Sequence, residues 1–119
     1  MSRVLTATLP GDNVPALGQL QGAIDALRFK CKLDTDYSPA APGYLACDLY
    51  GEDAGFNFNI KPGAAGAAML FNWSGDPREE AAASIVCVAL SEYFGAIISR
   101  DGAPAKLSDL VEAVRRAIA

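Results

Sequence analysis

Two short acidic groups hold the side chains best able to do chemistry. Asp34 and Asp36 flank one turn, and Asp48, Glu52 and Asp53 sit in or beside a hairpin. Carboxylates gathered on one edge can hold Mg²⁺ or Ca²⁺, or work as a general acid and base. No DxDxDG loop accompanies them, and Asp is common in turns because its side chain bonds the local backbone. Solvated turn acids are thus the ordinary reading, and a contact surface for a basic partner is the functional one. Tyr37, Tyr44 and Tyr50 border the same segments, and aromatic residues are enriched where proteins bind one another.

Missing residue types narrow the chemistry further. The chain contains no histidine, which removes the Ser-His-Asp triad, the Cys-His pair and the usual catalytic zinc sets. Cys31, Cys47 and Cys87 form an odd count without CxxC spacing. They read as small buried hydrophobes, neither a disulfide framework nor a zinc site. The run Gly63-Ala64-Ala65-Gly66 lacks both the GK[ST] ending of a P-loop and the third glycine of a dinucleotide fingerprint. The expectation is a chain with no metal, no cofactor and no catalytic residues.

A formal net charge of −4 disfavours nucleic acid and anionic lipid, and suits a basic protein partner. No apolar run approaches the roughly 20 residues of a membrane span, so no membrane partner is expected. Met1-Ser2-Arg3-Val4 passes into a strand-like segment with no apolar signal region, and the expected location is the cytoplasm.

The scaffold that must position these residues is expected to be one domain, residues 1–119. Residues 3–9 alternate and read as a strand. Pro10-Gly11-Asp12-Asn13 supplies a turn and a helix cap, and Val14, Leu17, Leu20, Ile24 and Leu27 follow at helical spacing. Phe29 to Leu33 alternates with its lysines outward. Tyr44 to Tyr50 and Phe56 to Ile60 read as one hairpin, followed by a strand over Ala67 to Trp73. Asp76, Pro77 and Glu79 are a strong helix start, opening an apolar central helix over 77–94 that Gly95 ends. Ala96 to Ser99 is a short strand, and Leu107, Leu110, Val111, Val114 and Ile118 stripe a final helix.

The resulting order, β-α-β-β-β-β-α-β-α, implies an α+β fold: a mostly antiparallel sheet with helices packed largely on one face.

The pattern Gly43-Tyr44-Leu45, Gly51, Gly55-Phe56, then Trp73-Ser74-Gly75-Asp76, Glu79 and an alanine-rich helix resembles a group of small bacterial proteins of unassigned function. Gly95-Ala96-Ile97-Ile98 and the last helix are similar to their ends, so the resemblance spans residues 43–118. Where the related pattern places an acidic residue after Gly-Phe, this chain has Asn57. Proteins of this kind are loosely similar to immunity proteins, which neutralise toxins in bacterial competition. The resemblance implies binding by occlusion.

The expected function is a non-catalytic, cytoplasmic protein-binding module of the immunity type. Asp34, Asp36, Tyr37, Asp48, Glu52 and Asp53 would cover a basic site on the partner. A second reading puts a small-molecule or enzymatic pocket between sheet and helices, with Asn57, Asn59, Tyr44 and a carboxylate as polar groups. A third makes the chain a self-associating structural subunit, such as a homodimer.

Overall fold

The alternating segment near the start of the chain forms β1 (Val4–Thr8), which lies inside the larger of two antiparallel sheets. The computed structural model describes residues 4–11, 14–33, 43–61, 66–73, 76–100 and 102–118. After β1 come α1 (Leu17–Ala26), β2 (Cys31–Leu33), β3 (Gly43–Leu45), β4 (Cys47–Leu49), β5 (Glu52–Asp53) and β6 (Phe56–Lys61). Then follow β7 (Ala68–Asn72), α2 (Pro77–Phe94), β8 (Ile97–Arg100), β9 (Ala103–Pro104) and α3 (Leu107–Ile118). The class is α+β, as the sequence implies.

The large sheet runs β3-β6-β7-β1-β8-β9 with every pair antiparallel. Side chains alternate along a strand, so one face collects Leu5, Ala7, Phe56, Phe58, Met69, Phe71 and Ile98, all buried. Phe71 centres this layer. Phe56 meets it edge-on at 5.6 Å between ring centroids, and Phe58 lies nearly parallel to it at 6.4 Å.

α2 packs on this layer, and its ends follow from sequence chemistry. Asp76 accepts a hydrogen bond from the Arg78 N–H at 2.9 Å, and Pro77 fills the first helical position. Gly95, at φ 72°, closes the helix in the left-handed conformation that glycine adopts without strain. Ala81 through Leu90 are all buried. α1 and α3 pack against α2, and α3 is amphipathic, with Leu110 and Val114 buried while Glu112, Arg115 and Arg116 are exposed. One cost of enclosing α2 is visible: the buried Ser84 hydroxyl has no hydrogen-bond partner, a loss of about 1–3 kcal/mol.

Two close approaches secure the rim. The Leu9 N–H donates to the Ala67 carbonyl at 2.9 Å, and the Ala67 N–H to the Gly11 carbonyl at 3.0 Å. Gly66 is required there, because a Cβ at that position would overlap the Leu9 carbonyl oxygen. At the far end, Arg100 forms an ion pair with Glu80 at 2.9 Å, and its guanidinium carbon lies 5.7 Å from the ring centroid of the buried Trp73.

Two elements differ from the sequence reading. α1 starts at Leu17, with Gln19 Oε1 accepting from the Ala16 N–H at 2.9 Å; the expected Asp12-Asn13 cap lies outside the described residues. More consequentially, residues 44–50 are two strands. β3 pairs with β6 in the large sheet, whereas β4 pairs with β2 and β5 in a second sheet of order β2-β4-β5. The chain changes sheets at Ala46, and Ala54 and Gly55 make the return step as two consecutive buried residues. The Ala54 N–H, bonded to the Cys47 carbonyl at 2.9 Å, fixes this corner.

Candidate functional site

The small sheet buries one side and turns the other to solvent. Cys31, Leu33, Cys47 and Leu49 point inward, and Lys32, Asp48 and Asp53 point out. Register makes a row of the outward residues: Lys32 opposes Asp48, and Asp48 opposes Asp53. Like charges directly opposite one another are destabilising. Lys32 opposite Asp48 offsets part of that cost without closing an ion pair. The Tyr50 N–H donates to the Lys30 carbonyl at 2.8 Å, which adds a second row, Lys30 beside Tyr50. The face therefore runs from the ammonium groups of Lys30 and Lys32 to carboxylates on β4 and β5.

Tyr50 and Gly51 form the two-residue turn between β4 and β5, with φ of 52° and 87°. Such mirror-image turns match strand twist, but they favour Asn-Gly, because a bulky residue at positive φ is strained. Arg28 (φ 67°), just before β2, is the other non-glycine residue at positive φ among those described. Arg28 follows Leu27, the C-cap of α1, and its left-handed backbone closes that helix, with the Phe29 N–H donating to the Ile24 carbonyl at 3.3 Å. Tyr50 and Gly51 border an open cleft of about 610 Å³ lined also by Asp25, Phe29, Lys30, Cys31, Lys32 and Asp48.

The outer edge of β2 is closed by a side chain. Gln21 Oε1 accepts from the Leu33 N–H at 2.7 Å, and its Nε2 donates to the Cys31 carbonyl at 2.8 Å and to Asp25 at 3.0 Å. One amide thus occupies the place of a neighbouring strand.

Comparison with known proteins adds no relative. No protein-family model, curated protein or solved structure matches the chain. The site is accordingly read from its own geometry.

Of the six expected contact residues, the structure brings Asp48 and Asp53 together. Glu52 is separated from them by strand parity, standing opposite the buried Leu49 and bonding Arg78 at the start of α2. The carboxylate raises the Arg78 pKa, by hydrogen bonding first and by charge second. Asp34, Asp36 and Tyr37 lie outside the described residues. Asn57 and Asn59, expected between sheet and helices, are exposed on the opposite, open face of the large sheet; strand parity places Phe56 and Phe58 inward instead. Lys30, Lys32 and Phe29 join the site without having been singled out. Their alternation was legible, but the pairing that sets them beside Tyr50 and Asp48 was not.

Beneath this face, all three cysteines are buried and free. A hydrogen bond with the Cys31 thiol, and then burial, push the Cys47 thiol above the usual range, and Cys47 Sγ donates to the Ala54 carbonyl at 3.2 Å. Burial alone pushes Cys87 up. Both thiols stay protonated and weakly nucleophilic. Among the described residues no group of three or more His, Cys, Asp or Glu side chains could hold a metal ion. No described helix is long and apolar enough to cross a membrane. Ammonium, carboxylate and phenol groups face solvent here, and their chemistry is charge pairing and aromatic contact.

Proposed function

We propose that this chain is a non-catalytic, cytoplasmic protein-binding module that docks a basic partner on the outer face of the small sheet. The observation that carries the reading is the cross-strand pair Asp48 and Asp53, two carboxylates kept opposite each other at a cost to the sheet. A guanidinium or ammonium group of a partner would offset that repulsion, and Tyr50 beside it offers an aromatic anchor. Action by occlusion, as in an immunity-type inhibitor, is the finer form of the same reading: the acids cover a basic site. Opposite charge would also speed encounter and set register.

The test is affinity capture with the wild-type chain and with the double variant Asp48→Lys/Asp53→Lys, at low and high salt. A basic protein retained by the wild type at low salt, and lost on charge reversal, supports the reading. Equal retention by both chains sinks it.

The cleft beside this face favours a second reading, small-molecule binding. Phe29 and Tyr50 supply apolar wall, and Lys30, Lys32, Asp25 and Asp48 supply charge. A screen of aromatic acids and amines by ligand-observed NMR tests it. Binding that Tyr50→Ala abolishes supports this alternative, and an empty screen removes it.

A further inference from the structure

We infer that Cys31 and Cys47 are a redox pair: two thiols beneath the small sheet that join as an intramolecular disulfide when a small disulfide such as oxidised glutathione is the oxidant. The inference does not rest on the partner-binding reading.

Register brings the two cysteines together. Cys31 opposes Leu49, and Leu33 opposes Cys47, so they lie one diagonal step apart on neighbouring antiparallel strands. Burial alternates as buried, exposed, buried along both β2 and β4, which turns both side chains to the same inward face. The thiols are already in contact. Cys47 is hydrogen-bonded to the Cys31 thiol, and its Sγ donates to the Ala54 carbonyl at 3.2 Å. The third thiol, Cys87, sits on α2, where burial rather than a second thiol keeps it protonated.

Diagonal neighbours stand about 7–8 Å apart at Cα, slightly beyond the roughly 4.4–6.8 Å of a relaxed disulfide. Closing the bond therefore draws β2 toward β4. The outward residues Lys32 and Asp48 belong to the same two strands and move with them. β2 has room to give, because it is the terminal strand of its sheet and one amide, Gln21, holds its outer edge. A bond closed against strain is readily reduced again, which separates a reversible switch from a structural staple.

Both thiols are buried, so reaction waits for that edge to part. Cys31 lines the cleft and is the thiol an entering reagent meets first. It attacks one sulfur of oxidised glutathione, the small disulfide breaks, and the departing half takes up the Cys31 proton. Cys47 then attacks the Cys31 sulfur and expels the second half, which takes up the Cys47 proton. Two protein thiols are oxidised to one disulfide, and one glutathione disulfide is reduced to two thiols.

The test treats the reduced full chain with oxidised glutathione, in buffer and in urea, then alkylates the remaining thiols and maps the linked peptides by mass spectrometry. Folded chain should give one product, the Cys31–Cys47 disulfide with Cys87 alkylated, and excess reduced glutathione should reverse it. The ratio of this bridge to glutathione adducts should be at least about tenfold higher in buffer than in urea, because the second thiol is already in place. Cys87→Ala should form the same bridge. Amide NMR signals should shift on β2, β4 and β5 upon oxidation. Bridges to Cys87, lasting glutathione adducts on the folded chain, or unmoved signals on those strands overturn the proposal. So does a bridge that forms only as fast as the α2 amides exchange hydrogen, since the whole chain must then unfold first.

Discussion

The two sheets each turn one face to solvent, and they compose it in opposite ways. The small sheet has three-residue or shorter strands, a left-handed tyrosine in its turn and a glutamine side chain along its edge. Its outward residues are charged and polarised from β2 to β5. The open face of the large sheet carries amides, hydroxyls and aliphatic groups on central strands of four to six residues, none of them at positive φ outside glycine. A polarised face selects a partner of complementary charge. A face of amides and hydroxyls with one lysine offers hydrogen bonds with little preference for the sign of a partner's charge.

The sharpest way to break this comparison is to attack the layers beneath. Phe71→Ala removes the ring on which Phe56 and Phe58 converge and should cost about 3–5 kcal/mol in urea unfolding. Leu49→Ala under the small sheet should cost less. The reverse ranking would make the small sheet the main source of stability.

Next comes the edge. Gln21→Ala deletes the bonds to the Cys31 carbonyl and Leu33 N–H, which should lower stability by about 1–3 kcal/mol. In that variant Cys31 and Cys47 should react with a thiol reagent well before Cys87. Equal rates at all three would mean that the small sheet does not open on its own.

A smaller change of opposite sign is expected at the turn. Tyr50→Asn creates the favoured Asn-Gly pair and should raise stability by about 1 kcal/mol while weakening partner capture. A loss of stability would show that the ring contributes more to packing than the backbone strain removes. The smallest effect is at Asp53→Asn, which relieves the cross-strand repulsion and should stabilise by about 0.2–1 kcal/mol. Unchanged or lower stability there would remove the argument that the carboxylate pair is held at a cost.

Local signals in the sequence carried most of the elements. The bounds of α2, residues 77–94, follow from Asp76, Pro77 and Gly95, because caps are chemistry within a few residues. The strands of residues 3–9 and 56–60 follow from alternation. The change of sheet at Ala46 was not legible for the same reason: Leu45, Cys47 and Leu49 stay buried in unbroken alternation through the bend. A period of two records which side is inward, not which strand lies beside it. The candidate site was half legible by the same logic. Asp48 and Asp53 were identified, but parity sent Glu52 to Arg78. Strand order, which no local pattern encodes, brought Lys30 and Lys32 alongside.

The place of β1 also sets the order of assembly. Leu5 pairs with Phe71 on one side and with Arg100 on the other, so β1 is completed by residues made much later. Helical turns form from local contacts, whereas β1 must wait for partners at long sequence separation, and closing such loops slows folding. On the ribosome, its Val-Leu-Thr-Ala-Thr segment stays open to strand addition by other nascent chains until β7 and then β8 emerge. The time taken to translate residues 9–100 therefore sets how long this strand waits for both of its neighbours.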